Sequence, residues 1–208
     1  VFNDGIKRLA RVLDVEARQF ELVEELADNV ELPVQVTIAS GFPKGDKLEF
    51  ITQKVTELGA SQIWAFPADW SVAKWDGKKL GKKVEKLEKI ALGAAEQSKR
   101  NLVPSVTLFE NKADFLAQLD QFDRIVVAYE ESAKEGEAAA LLQAVAGLEK
   151  GAKLLFIFGP EGGLSPAEVE SVQAKGAVLA GLGPRILRAE TAPLYALSAI
   201  SVLVELEK

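Results

Sequence analysis

Residues 158–168 read FGPEGGLSPAE and follow directly on the apolar run Leu154-Leu155-Phe156-Ile157. A β-strand that breaks at Gly159, Gly162 and Gly163 and at once enters a helix leaves backbone amides exposed. Glycine permits close approach to them, and the first amides of a helix have no partner inside it. Ser165, Pro166 and Glu168 fit an N-cap, a proline at the first helical position and the acid of a capping box. The same residues also serve as plain strand-to-helix punctuation, for which one glycine and a cap suffice. Neither G-x-G-x-x-G nor G-x-x-x-x-G-K-[ST] is present, so the stretch is neither a dinucleotide fingerprint nor a phosphate loop.

Outward from this point the chain alternates short apolar runs with helical patterns. Strands are expected at 34–39, 63–66, 106–109, 125–129, 154–158 and 178–182. Helices are expected at 47–58, 112–119 and 135–148, along a lysine-rich amphipathic stretch with Leu80, Val84, Leu87, Ala91 and Ala94 on one face, after Ser165, and at 192–206. Asp46 and Glu49 have capping-box spacing, and Gly59 suits the position after a helix end. Strand-helix alternation implies a largely parallel sheet covered on both faces. Before residue 34 the short stretches 9–15 and 20–26 read as strands of a small β-rich module.

Composition removes whole classes of chemistry. With no Cys there is no disulfide, thiolate nucleophile or thiolate zinc site, and with no His there is no imidazole base or His-ligated metal. We expect no metal, and no membrane partner, because no run approaches the ~18 apolar residues of a span; a cytoplasmic protein follows. A chain that starts at Val1 and has no Met is expected to lack its natural N-terminus, with methionines in modified form.

Net charge is −6, yet residues 44–104 carry an excess of four positive charges. Seven lysines fall within 74–89, KWDGKKLGKKVEKLEK. A charged helix face is ordinarily a solvated one; this reversal of sign in an acidic chain points to an RNA backbone, with Lys74, Lys78, Lys79, Lys82 and Lys83 as contacts and Trp70 and Trp75 as stacking platforms.

Ligands of open α/β sheets collect at the carboxyl ends of strands. Three such ends stand out: VAYEE at 127–131, FGPEGG at 158–163 and GLGPRILRAETA at 181–192. FGPEGGLSPAE with LGPRILRAETAPLYALSAI, and EQSKRN at 96–101 upstream, closely resembles the RsmE-type 16S rRNA uridine-N3 methyltransferases of the SPOUT superfamily. The resemblance runs from about residue 34 to the end, and more loosely over the start. It implies a parallel α/β SPOUT domain at 34–208 with a C-terminal trefoil knot, preceded at 1–33 by a PUA-like β-barrel lacking its first strands, and a homodimer. It further implies S-adenosylmethionine held by Ala128, Tyr129, Glu130, Phe158, Gly159, Pro160, Glu161, Gly162, Gly163, Leu182, Gly183, Arg185, Ile186, Leu187, Thr191 and Ala192, with 16S rRNA of the small subunit as partner.

Uridine N3 is a poor nucleophile until its proton leaves. We expect Arg185 or Arg188 to stabilise the uracil anion and Glu190, or a water, to take the proton; a structural ion pair between Arg188 and Glu190 is the alternative. Glu161 either holds the loop through backbone N–H groups or acts directly. Arg100 and Asn101 either contact RNA, reach the cofactor region across a dimer, or merely answer a helix dipole. The apolar residues Leu194, Leu197, Ile200, Leu203 and Leu206 belong to the core or to a subunit interface. Two other functions compete: methylation of a ribose 2′-hydroxyl or another base, and a ribosome-binding module without catalysis.

Overall fold

Alternate side chains of the strand Lys153–Phe158 leave it in opposite directions, Leu154, Phe156 and Phe158 into one apolar cluster and Leu155 and Ile157 into another, so this strand is buried on both sides. The computed structural model describes residues 6–27, 29–129 and 140–206. In chain order they form β1 (Lys7–Asp14), β2 (Gln19–Leu26), β3 (Gln35–Gly41), α1 (Lys47–Glu57), β4 (Gln62–Phe66), α2 (Gly77–Gln97), β5 (Ser105–Leu108), α3 (Lys112–Ala117), a 3-10 turn (Leu119–Gln121), β6 (Arg124–Ala128), α4 (Ala140–Val145), β7 (Lys153–Phe158), α5 (Pro166–Gln173), β8 (Val178–Ala180), α6 (Ala192–Ser201) and a π-helical turn (Val202–Leu206).

Strands β3 to β8 make one parallel sheet in the order β5-β4-β3-β7-β6-β8. One face packs on α1, α2, α4 and α6 through Ile51, Leu87, Leu141 and Leu197, and the other on α3 and α5 through Phe115 and Val172. The chain lays β4 and β5 on one side of β3 and β6 to β8 on the other. The direction of winding therefore reverses beside β3 and β7, where open sheets leave a crevice.

Local rules explain some termini and fail at others. Ser165 and Glu168 close the capping box at α5, and Pro166 stands in its first turn. At α1 the same spacing does not cap: Asp46 offers no side-chain bond, and Glu49 instead pairs with Lys86 at 2.5 Å. Gly59 adopts φ +101 just beyond α1 and faces Leu32 so closely that a Cβ would lie 2.8 Å from its Cγ. The expected helix at 135–148 is described only as α4, its earlier residues lying outside the described ones.

β1 and β2 form an antiparallel hairpin, with Arg8–Glu25 at 3.2 Å and Arg11–Glu21 at 2.8 Å across it. Two strands do not close a barrel. Leu9, Val12, Leu13, Phe20, Leu22 and Val23 are exposed on them. No described helix is long and apolar enough to cross a membrane.

Candidate functional site

The carboxyl ends of β7, β6 and β8 are neighbours in the sheet. The Tyr129 N–H donates to Ala180 O at 3.0 Å, fixing the end of β6 against the end of β8. Beside β7, Gly41 at the end of β3 lies against the following loop so closely that a Cβ there would stand 2.5 Å from Pro160 Cδ and 2.9 Å from its nitrogen. Pro160 and Gly163 close a turn with a 2.9 Å backbone bond, Gly163 at φ +78, and a side chain at Gly159 would run into the Gly163 backbone at 2.6 Å. The glycines are therefore required by a turn folded on itself, beyond any service to a ligand.

Glu161 projects from this turn toward α1. Its Oε1 accepts from the Lys44 backbone N–H at 3.1 Å and meets Lys47 Nζ at 3.0 Å. Lys47 Nζ also lies 3.0 Å from Oε2 of Glu190, which belongs to the loop after β8. One ammonium thus joins the start of α1, the turn after β7 and the loop after β8. Burial pushes the Glu161 carboxyl up, but Lys47 and the N–H groups of Glu161 and Lys44 outweigh it and hold it below the ordinary range. Glu190 is likewise depressed, burial being outweighed by its own N–H, Lys47 and Arg188. Glu161 and Glu190 hold Lys47 above the usual lysine value.

A second polar cluster braces the turn from the far side. Glu168 accepts from the backbone N–H groups of Asp69 at 2.8 Å and Ser165 at 2.9 Å. The Ser165 hydroxyl donates to Asp69 Oδ2 at 2.6 Å, and Lys112 pairs with Asp69 and approaches Glu168 at 3.6 Å. Trp70 then stands directly over the turn, its Cβ 3.0 Å from where a Cβ on Gly162 would be, with half of the residue exposed.

The loop after β8 is open. Gly183 has φ +89, Ile186 is 78% exposed, and Arg185 and Arg188 are exposed, the Arg188 guanidinium 3.9 Å from Glu190. Leu182 and Ala192 pack on the core, Leu187 is half-buried, and Thr191 precedes α6 without a side-chain cap. Ala128, Tyr129 and Phe158 stand at their strand ends, while Glu130 lies outside the described residues. Among the described residues, no cluster of acids is arranged to hold a metal.

Two expected RNA contacts face the other way. Arg100 is buried, its guanidinium paired with Glu31 and donating to Thr56 O at 3.0 Å and Ala60 O at 2.7 Å; Asn101 is buried too, its N–H donating to Glu31 at 2.9 Å. The Arg100 guanidinium and the Asn101 N–H staple the segment before β3 to the end of α2, and both side chains are buried rather than offered to a phosphate. Lys74, Lys78, Lys79 and Lys82 are exposed as expected. Lys83 sits 4.5 Å over the Trp75 ring, whose other neighbour is Phe42 at 4.3 Å, so Trp75 is a packing residue and Trp70 alone is free to stack. Lys47 and the Asp69–Lys112 pair escaped the sequence. A lysine in the first turn of a helix opposes the macrodipole, and that anomaly at Lys47 was the available signal.

Known proteins share the sequence and the fold. The model of the RNA methyltransferase domain family matches residues 30–201. Ribosomal RNA small subunit methyltransferase E of Bacillus subtilis is 56% identical over 185 residues, which is 89% of this chain and 72% of that protein. The chain belongs to that family. A crystal structure of the enzyme of the same name from Neisseria gonorrhoeae, bound to S-adenosyl methionine, matches with TM-score 0.78 and 28% identity over 97% of this chain and 81% of that one. A methyltransferase of Legionella pneumophila in complex with the bound cofactor SAM matches with TM-score 0.78 and 27% identity over 96% and 80%. The parallel sheet of β3 to β8 is the one these family structures share.

Proposed function

We propose that this chain is an S-adenosylmethionine-dependent methyltransferase that modifies N3 of a uridine in 16S rRNA of the small ribosomal subunit. The observation that carries the reading is that the carboxyl ends of β6, β7 and β8 lie side by side in the sheet, the segments after β7 and β8 joined through Lys47, in a member of the small subunit methyltransferase E family.

The residues fit such a cofactor. Gly163 and Gly183 hold left-handed backbone with no side chain in the way of a ligand, beside the apolar Leu182, Leu187 and Ala192 and the open Ile186. When bound, the cofactor supplies an electrophilic methyl on a sulfonium, so the protein need only position and polarise. Arg185 and Arg188, exposed cations on the open loop, stabilise the uracil anion left when N3 loses its proton. Glu190 is a weak proton acceptor, because its own N–H, Lys47 and Arg188 together outweigh burial and hold its carboxyl below the ordinary range. The proton therefore passes to water, and Glu190 orients Arg188.

RNA enters over the lysine face of α2 and the segment before it, with Lys74, Lys78, Lys79 and Lys82 on phosphates and Trp70 stacking a base beside the turn at Gly162. The finer architecture belongs to the same proposal: a trefoil knot in the SPOUT domain at 34–208, residues 1–33 as part of a PUA-like barrel, and a cytoplasmic homodimer that uses the exposed Tyr195, Val202 and Leu206 along and beyond α6.

Small subunits lacking the modification, incubated with the protein and methyl-labelled S-adenosylmethionine, test this by mass spectrometry of the digested RNA. N3-methyluridine is expected. Label on a ribose oxygen or another base would move the chain to a different reaction, and saturable cofactor binding without transfer would leave a binding module.

A further inference from the structure

We infer that Lys47 is a positioning residue, a clasp that holds the turn after β7 and the loop after β8 together as one cofactor pocket. The inference rests on reading these loops as two walls of that pocket.

Its geometry is that of a bridge. Glu161 Oε1 and Glu190 Oε2 each lie 3.0 Å from the same nitrogen, so the two oxygens are no more than 6.0 Å apart. At that separation two carboxylates repel unless a cation stands between them. The three side chains are only 27%, 26% and 19% exposed, so solvent screens the pairing less than at an open surface. Placement on α1 makes the clasp rigid, because Leu48, Ile51 and Val55 sink the following turns into the core. The cost of a lysine in the first turn, where the helix dipole disfavours a cation, is offset by two carboxylates on its head group. Glu161 is anchored a second time by the Lys44 N–H, so the turn after β7 is fixed to the β3–α1 loop even before Lys47 engages. The loop after β8 has no such second anchor through Glu190, whose other charged neighbour is the exposed Arg188 at 3.9 Å. Loss of the ammonium therefore frees chiefly the wall that carries Gly183 to Glu190, and the repulsion left behind drives it outward.

Hydrogen exchange of the free protein reads the clasp without any cofactor. Lys47→Met should speed exchange of amides at 185–191 most, with a smaller increase at 161–164, and leave those of β3 and β7 unchanged, while Lys47→Arg, which keeps a cation within reach of both acids, should stay close to the original. In methyl transfer, KM for S-adenosylmethionine should rise about tenfold in Lys47→Met, with kcat falling less. Adding Glu161→Gln and Glu190→Gln to Lys47→Met, which removes the repulsion, should recover part of the affinity. Unchanged exchange at both segments, a uniform rise over the whole chain, or an Arg variant as poor as the Met one would overturn the clasp. If the unaltered protein bound no S-adenosylmethionine at all, the functional reading would fall, and the exchange measurement would still decide whether Lys47 joins the loops.

Discussion

Arg100 and Glu31 form an ion pair with side chains only 3% and 13% exposed, and through it the segment before β3 is fixed to the end of α2. The guanidinium Nη1 donates to Thr56 O and Ala60 O, and the carboxylate also accepts from the N–H groups of Asn101 and Leu102. Every strong polar group in the pair has a partner, which is the condition under which a buried charge is tolerated.

Removing one member strands the other. Arg100→Leu should lower the stability read from chemical denaturation by roughly 3–5 kcal/mol, with rRNA affinity measured on the folded protein unchanged. A variant of full stability and weakened RNA binding would return Arg100 to the RNA surface.

Gly41 has no room for a methyl group, because Pro160 occupies the space from the side of the turn after β7. Gly41→Ala must push that turn away, at a cost of about 1–3 kcal/mol for an overpacked site. Cofactor affinity by calorimetry should fall with it. Unaltered affinity would show that the position of Pro160 does not matter to the site.

The lysine face and the fold are separable. Charge reversal at Lys78, Lys79, Lys82 and Lys83 touches side chains that, apart from Lys83 over Trp75, meet solvent. Binding of small-subunit rRNA should weaken, and the slope of log affinity against log salt should flatten by about 0.7–0.9 for each phosphate no longer neutralised. Trp70→Ala should weaken binding without changing that slope. An unchanged slope after the four reversals would make this face a solvated one.

Asp69 gives a pH dependence whose sign is fixed by its neighbours. Lys112 first, then the Ser165 hydroxyl, hold its carboxyl below the ordinary value of 3.8. Its contribution is therefore fully present above pH 3.8 and lost as pH falls through the lower, folded value. The stability difference between the original protein and Asp69→Asn, followed by denaturation, should be constant near neutrality and shrink only in acid below that point. Lys112 is raised above 10.5 chiefly by Asp69, so its contribution is full below 10.5 and lost as pH rises beyond its folded value. A difference that grew on acidification would contradict the pairing.

What could be read in the sequence was what local rules determine. The capping box at Ser165 and Glu168 needed only residues three apart, and the strands of the sheet announced themselves because both faces of 154–158 are apolar. The same rule failed at Asp46 because Glu49 had a better partner in Lys86, on another helix. Arg100 resembled a surface cation at a helix end because the acid that buries it lies 69 positions upstream. The partners of Lys47 could not be read for the same reason: its two acids arrive more than a hundred residues later, on loops that only the strand order brings side by side. The motifs named the loops, and the topology was needed to find what joins them.

A crystal structure of the complex with S-adenosylmethionine would decide whether the three loops form one cofactor site. The ligand is expected at the carboxyl end of the sheet, with backbone groups of 182–187 on its adenine and those of 159–163 nearer its methionine portion. A ligand bound elsewhere would contradict that placement. One such place is the cavity of about 90 Å³ between α3 and α5 lined by Phe66, Phe115, Leu164 and Val172, well below the ~300–1,000 Å³ usual for small-molecule sites.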